Sequence, residues 1–106
     1  MAYRAHDTAR KKGWWPEGTN PIEKLALIVT EVSEAIEQAR ITDTRDYYKI
    51  KFGPEGQMFG IAEELADIII RTLDFCAAYG IDIDKAVQRK MAYNESRPWR
   101  HGGKLA

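Results

Sequence analysis

The 106 residues contain one cysteine, four prolines and no long apolar run. Cys76, alone, forms no intramolecular disulfide, and in its apolar surroundings it reads as a small buried residue. The longest strongly apolar run, Ile68-Ile69-Ile70, falls far short of the ~18 residues that span a bilayer. The N-terminal MAYRAHDTARKK lacks the continuous apolar segment of a signal peptide. Charge of one sign is not in excess either. Lys plus Arg and Asp plus Glu both number 16, which argues against a general binder of nucleic acid polymers. That balance still leaves room for a local basic cluster that holds one phosphorylated small molecule. The expectation is a cytoplasmic protein that engages neither a membrane nor a nucleic acid polymer. Residues 1–106 read as a single domain, small enough that oligomerisation would usefully enlarge its core.

Prolines and glycines divide the chain. Residues 3–12 predict a short polar helix ended by Gly13, followed by the turn-rich Trp14-Trp15-Pro16-Glu17-Gly18-Thr19. Asn20 then suits an N-cap and Pro21 the first helical position. Residues 21–40 have helical periodicity, with Ile22, Leu25, Ala26, Val29, Val32, Ser33 and Ile36 on one face. Residues 41–56, with Asp43, Asp46, Gly53, Pro54 and Gly56, predict a long loop of the kind that is often functional. Residues 57–79 predict the third helix, ended by Gly80, and Asp82 caps a fourth that runs to about Glu95 before Pro98. No period-2 stretch is long enough to predict a strand. The expected fold is all-α, a four-helix bundle-type core.

The third helix is the most informative. Its apolar residues cover most of its circumference, so neighbours must bury it on several sides, more than one short chain is expected to supply alone. A homodimer, or a dimer of dimers, is the expected remedy. Its charged residues Glu63, Glu64, Asp67, Arg71 and Asp74 fall within one arc of roughly 100° at helical periodicity. Carboxylates on a mostly buried helix are costly unless paired or bound to a cation. The second helix repeats the device, with Glu31 and Glu34 one turn apart on the side away from its main apolar face. If the two helices are antiparallel neighbours, Glu31, Glu34, Glu64 and Asp67 converge, and hard cations would relieve their repulsion. With oxygen ligands alone, and no Cys or His at ligand spacing, Mg²⁺ is favoured and Mn²⁺ is the natural substitute.

The segments Leu27-Ile28-Val29-Thr30-Glu31-Val32-Ser33-Glu34-Ala35 and Glu63-Glu64-Leu65-Ala66-Asp67-Ile68-Ile69 resemble the paired acidic motifs of the MazG-like all-α nucleoside triphosphate pyrophosphohydrolases. The stretch Lys90-Met91-Ala92-Tyr93-Asn94-Glu95-Ser96-Arg97-Pro98 also resembles that family's Lys…Asn…Arg ending. The likeness runs over roughly residues 20–100 and lies in the order of the motifs. In one respect the chain departs from the pattern: Thr30 stands where the first motif often has a leading Glu.

The resemblance implies a Mg²⁺-dependent enzyme that converts a nucleoside triphosphate into monophosphate and pyrophosphate by attack of water on the α-phosphorus. Glu31, Glu34, Glu64 and Asp67 would hold the metal. Glu34 is the preferred group to activate water, with Glu31 as the other catalytic candidate. Lys90 and Asn94, one turn apart, and Arg97 beyond them suit the β- and γ-phosphates. Trp14 and Trp15 are candidates to stack on the base and His6 to hydrogen-bond its edge. Tyr47, Tyr48 and Phe52 in the long loop form a second candidate lid or base contact, and Arg100, His101 and Lys104 read as a flexible tail, with supplementing the site as the alternative. Likeness to the small stand-alone members implies a house-cleaning role with a deoxynucleotide preference, dCTP or dATP. Two alternatives stay open: a related all-α enzyme with a dedicated substrate such as dUTP or phosphoribosyl-ATP, and a non-catalytic helical interaction module.

Overall fold

The computed structural model describes residues 1–98. Arg100, His101 and Lys104 lie outside the described residues. The chain is mostly helical, with α1 over Ala2–Lys11, α2 over Pro21–Ile41, α3 over Ile61–Ala78 and α4 over Ile83–Ser96. No helix among the described residues is long and apolar enough to cross a membrane.

Local chemistry sets the helix ends. Asn20 Oδ1 accepts from the Ile22 amide at 2.8 Å and Pro21 opens α2, while Asp82 Oδ1 accepts from the Lys85 amide at 3.1 Å to open α4. At the end of α1, Gly13 takes φ +82°, the left-handed conformation that suits glycine. The amide of Trp14 thereby reaches back to the Ala9 carbonyl at 3.0 Å, a Schellman closure that turns the two tryptophans onto the helices.

The loop departs from expectation. Lys51–Phe52 (β1) and Met58–Phe59 (β2) pair antiparallel around Gly53-Pro54-Glu55-Gly56, with Lys51 opposite Phe59 and Phe52 opposite Met58. The third helix consequently begins at Ile61 rather than at 57. A two-residue strand carries too short an alternation to register as a pattern. Gly60, buried and at φ +101°, makes the corner from β2 into α3. Its carbonyl accepts from the Glu64 amide at 3.2 Å, so Glu63 and Glu64 fall in the first turn, where the helix dipole favours negative charge.

α3 is central, with α1 and α2 packed along it, and α4 shares no extended face with any other element. Cys76 is buried, as expected, but no large side chain among the described residues is fully enclosed. The packing face of α2 differs from expectation. Leu27, Ile28, Glu31 and Ala35 turn inward, whereas Ile22, Leu25, Val29, Val32 and Ile36 are exposed, Val29 to 65%. Their 3-4-3-4 spacing is that of a coiled-coil seam. The chain exposes 8458 Å², against about 6,000 Å² for a compact monomer of this size.

Candidate metal centre

The polar arc of α3 divides into three parts along its length. At the N-terminal end, α3 meets α2 and carboxylates gather. Glu31, Glu34 and Glu64 bring ligand oxygens within 4.8 Å of one another, and so do Glu63, Glu64 and Asp67. Glu64 belongs to both groups. Three of the four expected ligands thus meet directly, and Asp67 joins them through Glu63 and Glu64. Glu63 was not singled out as a ligand from the sequence, although it sits in the charged arc one turn before Asp67. Its carboxylate adds a fifth to the cluster, which Thr30 does not supply.

Glu31 is 7% exposed, and its Oε2 is buried without a hydrogen-bond partner among the described residues, as is Oε2 of Glu64. An unpartnered buried carboxylate oxygen costs several times what a hydrogen bond returns, unless a cation is available to it. Burial, followed by the carboxylates of Glu63 and Glu34 beside it, pushes Glu64 up to about 8. Burial, again first, and then Glu63 and Glu31 push Asp67 up to about 6, against the downward pull of Arg71. Both shifts record negative charge crowded where water is scarce. The donor set is carboxylate oxygen only, which fits a hard divalent ion such as Mg²⁺.

The middle of the arc is Arg71. Its Nε donates to Glu31 Oε1 at 2.9 Å, and its guanidinium lies 4.6 Å from the Trp14 ring centroid. Arg71, Asp67 and Trp14, together with Arg4 and Thr8 of α1, line an open groove of about 490 Å³. A groove of that size lies within the range of small-molecule sites.

At the C-terminal end, Asp74 is 8% exposed. Trp15 Nε1 donates to both of its carboxylate oxygens at 2.8 Å, and His6 Nδ1 donates to Oδ1 at 2.7 Å. The indole of Trp15 meets the rings of His6 and Tyr79 edge-on at 5.3 and 5.9 Å, and Lys24 Nζ lies 4.5 Å above it. The same ammonium donates to the Trp14 carbonyl. Of the three residues assigned to the base, Trp15 therefore spends its indole N–H and His6 its Nδ1 on Asp74, while Trp14 faces the groove.

The expected phosphate residues are placed elsewhere. Lys90, Asn94 and Arg97 belong to α4 and its end, and α4 is not packed on the acidic faces of α2 and α3. Lys90 Nζ and Arg97 Cζ lie 5.1 and 5.2 Å from the Tyr93 ring centroid. In the long loop, Tyr47 donates its hydroxyl to the Ala39 carbonyl at 2.9 Å, tying the loop to α2. Tyr48 and Phe52 are exposed.

No protein-family model, curated protein or solved structure matches the chain.

Proposed function

We propose that the protein is a Mg²⁺-dependent nucleoside triphosphate pyrophosphohydrolase of the MazG-like kind. The observation that carries this reading is that Glu31 and Glu64, two members of a cluster of five carboxylates from α2 and α3, each keep a buried oxygen, Oε2, without a hydrogen-bond partner among the described residues. A cluster needed only for packing has no use for two orphaned acceptors, whereas a cation site needs them. The resemblance of the two acidic segments to the family's motifs supplies the reaction.

In this reading Glu31, Glu34, Glu64 and Asp67 hold the ion, with Glu63 beside them. A divalent ion held by these residues would supply Lewis-acid stabilisation of the charge that develops as water attacks the α-phosphorus. Glu34, the exposed member on α2, orients the attacking water and takes its proton; Glu31 is less free to do so, because it is buried between the helices. The water oxygen bonds to the α-phosphorus, the bond from that phosphorus to the bridging oxygen breaks, and pyrophosphate leaves.

A second copy of the chain completes the bundle. The exposed seam Ile22, Leu25, Val29, Val32 and Ile36, the lack of any fully enclosed large side chain among the described residues and the excess surface all favour a homodimer or a dimer of dimers. A deoxynucleotide substrate, dCTP or dATP, follows from the resemblance.

A product assay over ribo- and deoxynucleoside triphosphates tests the reading. It predicts monophosphate plus pyrophosphate with Mg²⁺ and none with EDTA, and the same panel ranks dCTP and dATP against dUTP. Orthophosphate plus diphosphate would overturn the reaction. No product from any nucleotide would favour a phosphoribosyl-ATP-like substrate or an interaction module.

A further inference from the structure

Arg71 and Glu31 form a part-buried ion pair in which neither partner uses its full capacity. The guanidinium donates through Nε alone, and its Nη groups have no hydrogen-bond partner among the described residues. Glu31 accepts through Oε1 alone, and its Oε2 is buried and unpartnered. A structural Arg–carboxylate pair is commonly bidentate, which satisfies both groups at once. Glu31 is at the same time a member of the acidic cluster. The guanidinium belongs to the groove it shares with Arg4, Thr8, Trp14 and Asp67. The face of Trp14, 4.6 Å away, holds the planar cation by a contact that does not depend on Glu31.

We propose that Arg71 is an internal counter-cation that exchanges partners, neutralising Glu31 in the metal-free protein and binding ligand phosphate in the α1–α3 groove once a divalent cation takes Glu31. The inference rests on the metal reading of the acidic cluster and goes beyond it, assigning a residue to the phosphate chain and a competitor to the metal. Metal entry would otherwise bring two or more positive charges onto a carboxylate already paired with one. Release of the guanidinium removes that conflict and frees a planar fork, matched to phosphate oxygens, beside the metal.

The test uses the full chain, with Mn²⁺ alone and then Mn²⁺ with inorganic tripolyphosphate as probes, both followed by calorimetry. Arg71→Gln removes the competitor, so it is expected to bind Mn²⁺ about tenfold tighter than the unaltered chain and tripolyphosphate about tenfold more weakly. Arg71→Lys keeps the charge without the fork, and serves also if the Gln variant does not fold. It is expected to bind Mn²⁺ as the unaltered chain does and tripolyphosphate several-fold more weakly. A purely structural arginine would lower both affinities together, and that result overturns the proposal. So does unchanged tripolyphosphate binding in Arg71→Lys. Mn²⁺ binding by neither the unaltered chain nor Arg71→Gln would instead overturn the metal reading itself, and the exchange with it.

Discussion

The indole nitrogen of Trp15 stands 2.8 Å from each carboxylate oxygen of Asp74, joining residues 59 apart in sequence. With His6 on the same carboxylate, this contact fastens α1 and the turn after it to the central helix. Trp15→Phe keeps the ring stacking and removes the donor, leaving Asp74 buried with one donor fewer. A loss of about 2 kcal/mol is expected, read as a lower urea midpoint. A change within error would show that the contact contributes nothing to stability.

Stability of the metal-free protein should fall as pH rises. Glu64 is pushed up to about 8 and Asp67 to about 6 by burial among other carboxylates, against ordinary values of 4.5 and 3.8. Between those limits the folded chain holds protons that the unfolded chain has lost. Their contribution is full below the ordinary values and disappears as pH climbs through the raised ones. The urea midpoint in EDTA is therefore expected to drop from about pH 5 to about pH 8.5, and excess Mg²⁺ to offset the drop. A midpoint that rises over that window would contradict the electrostatics of the cluster.

The seam on α2 predicts its own failure mode. Val29→Glu alters a side chain that is 65% exposed in one chain, so a monomeric protein would tolerate it within about 0.5 kcal/mol. If a second copy covers the seam, the substitution buries an unpaired charge, and light scattering should report a monomer or an aggregate in place of the dimer. An unaltered chain that is itself monomeric at micromolar concentration would remove the dimer from the account.

Most of the helical frame is written locally. Asn20-Pro21 and Asp82 are start signals that depend on their immediate neighbours, and the structure uses them so. The convergence of Glu31, Glu34 and Glu64 follows from two i, i+3 patterns on helices that pack together. What was not legible depends on distant partners. Nothing near Asp74 marks it as the acceptor for Trp15 and His6, and nothing near Arg71 names Glu31. The apolar seam of α2 was legible as a stripe, but amphipathicity alone assigns such a stripe to the chain's own core. Here the turn through Gly60 and the packing of α3 put the opposite face inside.

Glu64→Gln and Asp67→Asn each remove a charge from the cluster. Both are expected to cut turnover by about a hundredfold or more while the far-ultraviolet circular dichroism stays unchanged. Relief of repulsion should leave the metal-free Gln variant at least as stable at about pH 8 as the unaltered chain. Near-normal turnover in either variant would mean that the residue does not hold the metal.

Hydrolysis of the best triphosphate substrate in ¹⁸O-enriched water with Mg²⁺ tests the central claim most directly, because the label records which phosphorus the water attacks. The account predicts ¹⁸O in the nucleoside monophosphate and unlabelled pyrophosphate. Label in the pyrophosphate would place the attack at the β-phosphorus and contradict it.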